Sequence, residues 1–295
     1  MVSLPHLDQL TRRQFAPPPG LPAVDFTAPL GAPALFTPDS VTWRVMKNPI
    51  SLTIGGVAAV ILELAEPRVR TGVWEHTSFR RDPAGRIRRT GYAAMATMYA
   101  PAESAKRLIA AVSRRHAAVS GTTPAGAPYR ADDPELLTWV NATAAFGFLE
   151  AYRRFVRPLP AEACDHYYAE GAAAAALYGA EARGSVREIE DLFAAMRPKL
   201  ERSDIIFEFL EIMRNAPLGP AAGRPLQRLA IRGAVEITPT WAREILGLDK
   251  RFGLPPGGAM VLRLLGAASD MIAVKDAPPA QASVRLGLKA DYLYR

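Results

Sequence analysis

The run ISLTIGGVAAVILEL, Ile50 to Leu64, is the strongest apolar stretch of the chain, interrupted by Ser51 and Thr53 and closed by Glu63. It falls short of the roughly 20 apolar residues that a membrane-spanning helix requires. It therefore predicts a helix buried in the core of a folded body, and the flanking sequence agrees. From residue 41 to about 235, helical periodicity recurs between short Pro and Gly breaks, while alternating β-branched runs are almost absent. The fold class is all-α, with one helical domain over residues 41–275. Residues 1–40, rich in proline, read as an arm wrapped over that body, and residues 276–295 as a C-terminal tail without readable pattern.

Caps sharpen several boundaries. Asp133 before Pro134 opens a helix over Glu135–Val156, and Ser185 with Glu188 forms a capping box ahead of Val186–Leu200. Thr238 or Thr240 starts a short helix, Trp241–Leu248, and the glycines from Gly253 to Gly258 separate it from a final one near Met260–Ile272.

The 295 residues are 49% hydrophobic and 22% charged, enough to build a sizeable core. One cysteine excludes a disulfide framework and Cys-rich zinc or iron–sulfur sites, and four histidines leave no multi-histidine cluster. Walker, dinucleotide-binding, nucleophile-elbow and His-Glu-x-x-His motifs are absent. The net charge of +7 is spread over arginine doublets without interleaved aromatics, a pattern of solvated helix faces that predicts no nucleic-acid partner. It leaves peripheral contact with a membrane open. Thr11-Arg12-Arg13-Gln14-Phe15 imitates a twin-arginine export signal, but Pro17–Pro19 and Asp25 break the apolar run such a signal needs, so the expected location is cytoplasmic.

Three places carry candidate chemistry. Arg86, Arg89 and Thr90 stand at i, i+3 and i+4 and share a helix face above small residues. The same pattern is also compatible with a basic surface paired to Asp82 or Glu75. His116 lies on the apolar stripe Leu108, Ile109, Val112, His116, Val119, so its imidazole points to the core as a hydrogen-bonded residue or as a ligand. A single imidazole cannot hold zinc, yet it can be the only protein ligand of a haem iron. Asn141, on the stripe Leu137, Asn141, Ala144, Phe148, makes a helix–helix hydrogen bond or contacts a cofactor or substrate. His76, after Glu75, reads as a loop residue. Glu162, His166 and Glu170 share a face that reads as surface.

Taken in order, several segments resemble one family. They are Gly55-Gly56 to Leu64-Ala65-Glu66-Pro67; Glu75-His76-Thr77-Ser78-Phe79-Arg80 with Asp82-Pro83 and Arg86-x-x-Arg89-Thr90; Arg114-Arg115-His116-Ala117; and Tyr129 through Asp132-Asp133-Pro134 to Trp139-Val140. The likeness continues through Ala151–Phe155, Pro158-Leu159-Pro160 and Tyr168-x-Glu170. Together they resemble the catalytic domain shared by bacterial rubber oxygenases (latex clearing proteins) and the fungal mycophenolic-acid-pathway oxygenases. The resemblance implies an all-helical fold enclosing a haem or an apolar-ligand pocket. It implies haem b, O2 as co-substrate and a hydrophobic alkene or isoprenoid substrate. His116 matches the histidine that holds the haem iron, and Arg86 and Thr90 match the family's arginine and threonine. Arg89 stands where a lysine can approach the iron, and Glu66 and Asn141 stand where relatives commonly carry histidine. Glu75 is the nearest candidate general base. A member of the same fold without haem, binding an apolar ligand or a metal or catalysing another reaction, is the alternative.

Overall fold

Four helices begin alike, with a capping side chain directly before a proline. Asn48 precedes Pro49, Glu66 precedes Pro67, Asp82 precedes Pro83 and Asp133 precedes Pro134, and each cap accepts hydrogen bonds from the first turn. The proline loses nothing there, because its missing N–H has no intrahelical partner at that position. The computed structural model describes residues 5–219 and 221–295.

The chain runs α1 Pro5–Gln14, α2 Val41–Met46, α3 Pro49–Glu63, α4 Pro67–His76, α5 Pro83–Tyr99 and α6 Ala102–Ala117. A hairpin of β1 Ser120–Thr122 and β2 Pro128–Arg130 follows, paired antiparallel with Gly121 opposite Tyr129. Then come α7 Pro134–Phe155, α8 Ala161–Glu170, α9 Ala172–Tyr178, α10 Val186–Met196, α11 Asp204–Asn215, α12 Arg224–Ile237, α13 Thr240–Leu246, α14 Gly258–Asp270 and α15 Pro278–Arg285. The all-α expectation holds, with this hairpin as its small exception.

α3 is the central rod. It packs along α7 and against α12 and α14, and Ile54, Val57, Ala58, Ile61 and Leu62 are buried on it. At the closest approach two glycines meet. A Cβ on Gly55 would lie 2.6 Å from the Gly147 carbonyl oxygen, and one on Gly147 2.4 Å from that of Gly55. Only glycine lets the two backbones come so near. Ile54 lies near Phe155 beside Gly233, and Arg68, just past α3, bonds Glu135 at the head of α7 at 2.6 Å. α3 and α7 are therefore antiparallel, which brings Glu63 and Asn141 to the same level.

Residues 15–40 and α15 build a second core on α5. Phe26 and Phe36 pack with Trp43, Tyr92, Met95, Tyr99 and Ala282. The Tyr92 hydroxyl accepts from Val24 N at 2.8 Å, and fully buried Arg285 donates to the carbonyls of Phe26, Ala32 and Tyr99. Pro278 onward, without pattern in the sequence, is thus helical and anchored.

Two caps act differently from their sequence reading. The Thr238 hydroxyl donates back to Ala234 O at 2.9 Å, closing α12, and α13 starts after Pro239 without a side-chain cap. At Ser185 the hydroxyl accepts from Glu188 N as expected, while Glu188 accepts from Gly184 N at 2.7 Å.

Candidate active site

Glu63, the single carboxylate of the apolar run, ends α3. It is deep in the protein, yet it keeps some open surface, as do Val60 and Gly56 one and two turns before it. The same holds for Arg86, Ala93 and Ala94 on α5, Val112 and His116 on α6, Asn141 and Phe148 on α7, and Tyr178 on α9. All of these are partly exposed, and Glu63, Arg86, His116 and Tyr178 are in addition set deep in the protein.

Arg86 joins these faces electrostatically. Burial pushes the Glu63 carboxyl up to about 7, with Arg86 opposing the rise. Burial pulls the Arg86 guanidinium down, with Glu63 opposing and Arg89 adding to the fall. Burial and then Arg86 lower the His116 imidazole, against a weaker pull from Asp132. At neutral pH the histidine is therefore neutral and Glu63 is divided between its two forms. His116 Nδ1 is buried without a hydrogen-bond partner among the described residues. Five other buried side-chain atoms share that state, Ser113 Oγ, Trp139 Nε1, Arg183 Nε, Arg243 Nε and Arg285 Nη2, so what sets the His116 nitrogen apart is its place beside Arg86 and Glu63, where it is available to a ligand.

The arginine face divides in two. Arg86 donates to the Thr90 hydroxyl, and that hydroxyl donates to Arg86 O at 3.1 Å. Arg89 turns to the preceding loop, donating to Ser78 Oγ and lying 3.7 Å from Asp82. Asn141 is half-buried and makes no side-chain hydrogen bond with the described residues. Thr97, which continues the face of Arg86 and Thr90 on α5, pairs through its hydroxyl with that of Tyr178 at 3.0 Å, and Tyr178 is a polar group that the sequence did not single out.

Other candidates lie elsewhere. Glu75 is exposed in the last turn of α4, and His76 ends that helix instead of lying in a loop, with Nε2 3.0 Å from the Tyr129 hydroxyl. Glu66 is an N-cap: its carboxylate accepts from Val69 N at 2.8 Å and from Arg68 Nε at 2.7 Å. Glu162 and His166 are exposed, as expected of a surface face, while Glu170 turns to α2 and accepts from Val41 N, Thr42 N and the Thr42 hydroxyl. Among the described residues no three His, Cys, Asp or Glu side chains converge to hold a metal ion.

A family model described as the catalytic domain of the ER-bound oxygenase mpaB/B' and rubber oxygenase matches residues 43–270. The chain belongs to this family. No curated protein and no solved structure matches it. The matched segment of this oxygenase domain runs from Trp43 in α2 to Asp270 at the end of α14, and so contains Glu63, Arg86, His116, Asn141 and Tyr178. Membership implies use of O2 on a small-molecule substrate. Among the described residues no single helix is long and apolar enough to cross a membrane; α3 and α4 meet that test only as a pair bent by 113°.

Proposed function

We propose that the chain is a b-haem-dependent oxygenase acting on a hydrophobic, alkene or isoprenoid-type small molecule, with His116 as the one protein ligand to the iron. The observation that carries this reading is the neutral, buried imidazole whose Nδ1 has no partner among the described residues. The donor set fits the same group. No protein cluster of three ligands is present among the described residues, so a metal here must bring most of its own ligands, as haem iron does. Bound there, the haem supplies the activation of O2 that an oxygenase needs.

The protein's own residues then have distinct tasks. Arg86, buried beside His116, pairs with an anionic group such as a carboxylate, and its bond to Thr90 fixes its direction. Glu63 holds a proton on its carboxyl near neutral pH and can give or take it, the property of a general acid–base. It takes this part in place of Glu75, which is exposed. Gly56, Val60, Ala93, Ala94 and Phe148 are partly exposed small or apolar residues of the kind that suits contact with an apolar substrate. Asn141, level with Glu63, has an amide free to orient a polar group. Arg89 is a positioning residue that ties α5 to Ser78 and Asp82. The catalytic body spans residues 41–275, with 1–40 as arm and 276–295 as tail.

The test is the visible spectrum of protein produced with haem supplied, beside His116→Ala. A Soret band in the wild type that is lost or shifted in the variant is the expected result, followed by O2 uptake with alkenes. A wild type without the band would move the assignment to a haem-free member of the family.

A further inference from the structure

α14 buries one face and leaves the other bare. Gly258, Leu262, Gly266 and Asp270 point inward, and the helix cannot roll: a Cβ on Gly266 would lie 2.1 Å from Phe155 O. The opposite stripe is apolar. Met260, Val261, Leu264 and Leu265 on the helix, with Met271 and Ile272 just past it, are all exposed, Met260 and Leu264 by 66% and Met271 by 73%. Single exposed apolar residues are ordinary, but six on one stripe are not.

The rim of this stripe is basic. Arg263 reaches Arg154 O at 3.1 Å, which holds two exposed arginines beside the helix. Arg157 lies 4.0 Å from Asp270, and with Arg44 it lines a depression that Met271 also borders. The depression carries four basic side chains against Asp39 and Asp270, and Asp270 is neutralised by buried Lys47 at 3.2 Å.

We propose that this face docks on a membrane surface bearing anionic lipids, with α14 lying in the interfacial plane and Arg44, Arg154, Arg157 and Arg263 at the headgroups. The 13 residues of α14 make a rod of about 20 Å, too short to span a bilayer, so it lies on the surface. An apolar helical stripe flanked by arginines is the chemistry of such interfacial helices. A second copy of the chain fits worse. In a pairing of two copies through this stripe the arginine rim would find no acidic partner on α14, whose one carboxylate, Asp270, is buried against Lys47.

The experiment is flotation of the full chain with phosphatidylcholine vesicles, with and without about 30% phosphatidylserine. The wild type is expected to float with the anionic vesicles only, and to release as salt rises above about 0.3 M. Leu264→Glu is expected to lower partitioning about tenfold or more, and the combined Arg154→Gln, Arg157→Gln and Arg263→Gln variant to abolish the preference for phosphatidylserine. Circular dichroism checks each fold, and Met271→Glu replaces Leu264→Glu if the latter does not fold. Absent flotation, equal binding to both vesicle types, or unchanged binding by the glutamate variant would overturn the proposal. So would a dimer in sedimentation velocity that the glutamate variant converts to monomer.

Discussion

Two of the places where the protein buries charge treat it in opposite ways. Beside α2 and α14, Lys47 and Asp270 are 3.2 Å apart and only 3% and 4% exposed. Lys47 Nζ also donates to the carbonyls of Asp270 and Leu293, while the Asp270 carboxylate accepts from Tyr152 and Asn48. Every charged atom has a partner. At the ends of α3 and α6, Glu63, Arg86 and His116 influence one another without closing such a network, and His116 Nδ1 is left over. A satisfied buried network belongs to the scaffold, whereas under-satisfied groups around open surface are what a ligand site requires.

Substitutions on the two sides should therefore separate stability from binding. The largest stability loss is expected for Asp270→Asn, which leaves Lys47 buried without its counter-charge and costs about 3–5 kcal/mol in urea denaturation, while the proposed binding of added haem by the folded fraction stays unchanged. A cost below about 1 kcal/mol would place that network outside the scaffold. Next is Gly147→Ala, between the two regions. Its methyl meets a carbonyl oxygen at 2.4 Å, and pushing α3 from α7 costs about 1–3 kcal/mol. A neutral effect would mean that the helices part freely.

Glu63→Gln gives a smaller, pH-dependent change. The folded carboxyl titrates near 7 against an ordinary 4.5, so folding favours its protonated form. That contribution is fully present below pH 4.5 and is lost as pH rises through 7. The amide stays neutral, so the variant should be less pH-dependent over this window and, at pH 8, more stable than the wild type by about 1–2 kcal/mol. Parallel stability curves for the two proteins between pH 5 and 8 would contradict the burial of Glu63. The smallest change is expected for His116→Ala, about 1 kcal/mol or less in the absence of haem, because the imidazole gives up no hydrogen bond among the described residues.

What was legible in the sequence followed from local chemistry. The helices after Asp133 and Ser185 and the core rod Ile50–Leu64 were readable from caps and apolar runs. The faces carrying Arg86, His116 and Asn141 were readable from a 3.6-residue period. Strands of three residues are too short to show an alternation, so the hairpin was not. α15 and the arm owe their structure to contacts such as Arg285 with Phe26, 259 positions apart, which leave no local pattern. Arg89 shares a helix face with Arg86, and only the loop carrying Ser78 and Asp82 separates their roles. Glu63 had a signal in plain view, a carboxylate closing an apolar run, but its meaning depends on Arg86 and on the level of Asn141 across α7.

The central claim is that His116 is a free, neutral imidazole awaiting an iron. It is tested most directly by titrating haem into wild type and His116→Ala and then adding free imidazole to the variant. The account predicts a stoichiometric Soret band in the wild type, a weakened or shifted one in the variant, and recovery of the wild-type band with imidazole. A variant spectrum identical to the wild type before imidazole is added, or no band in any sample, would contradict it.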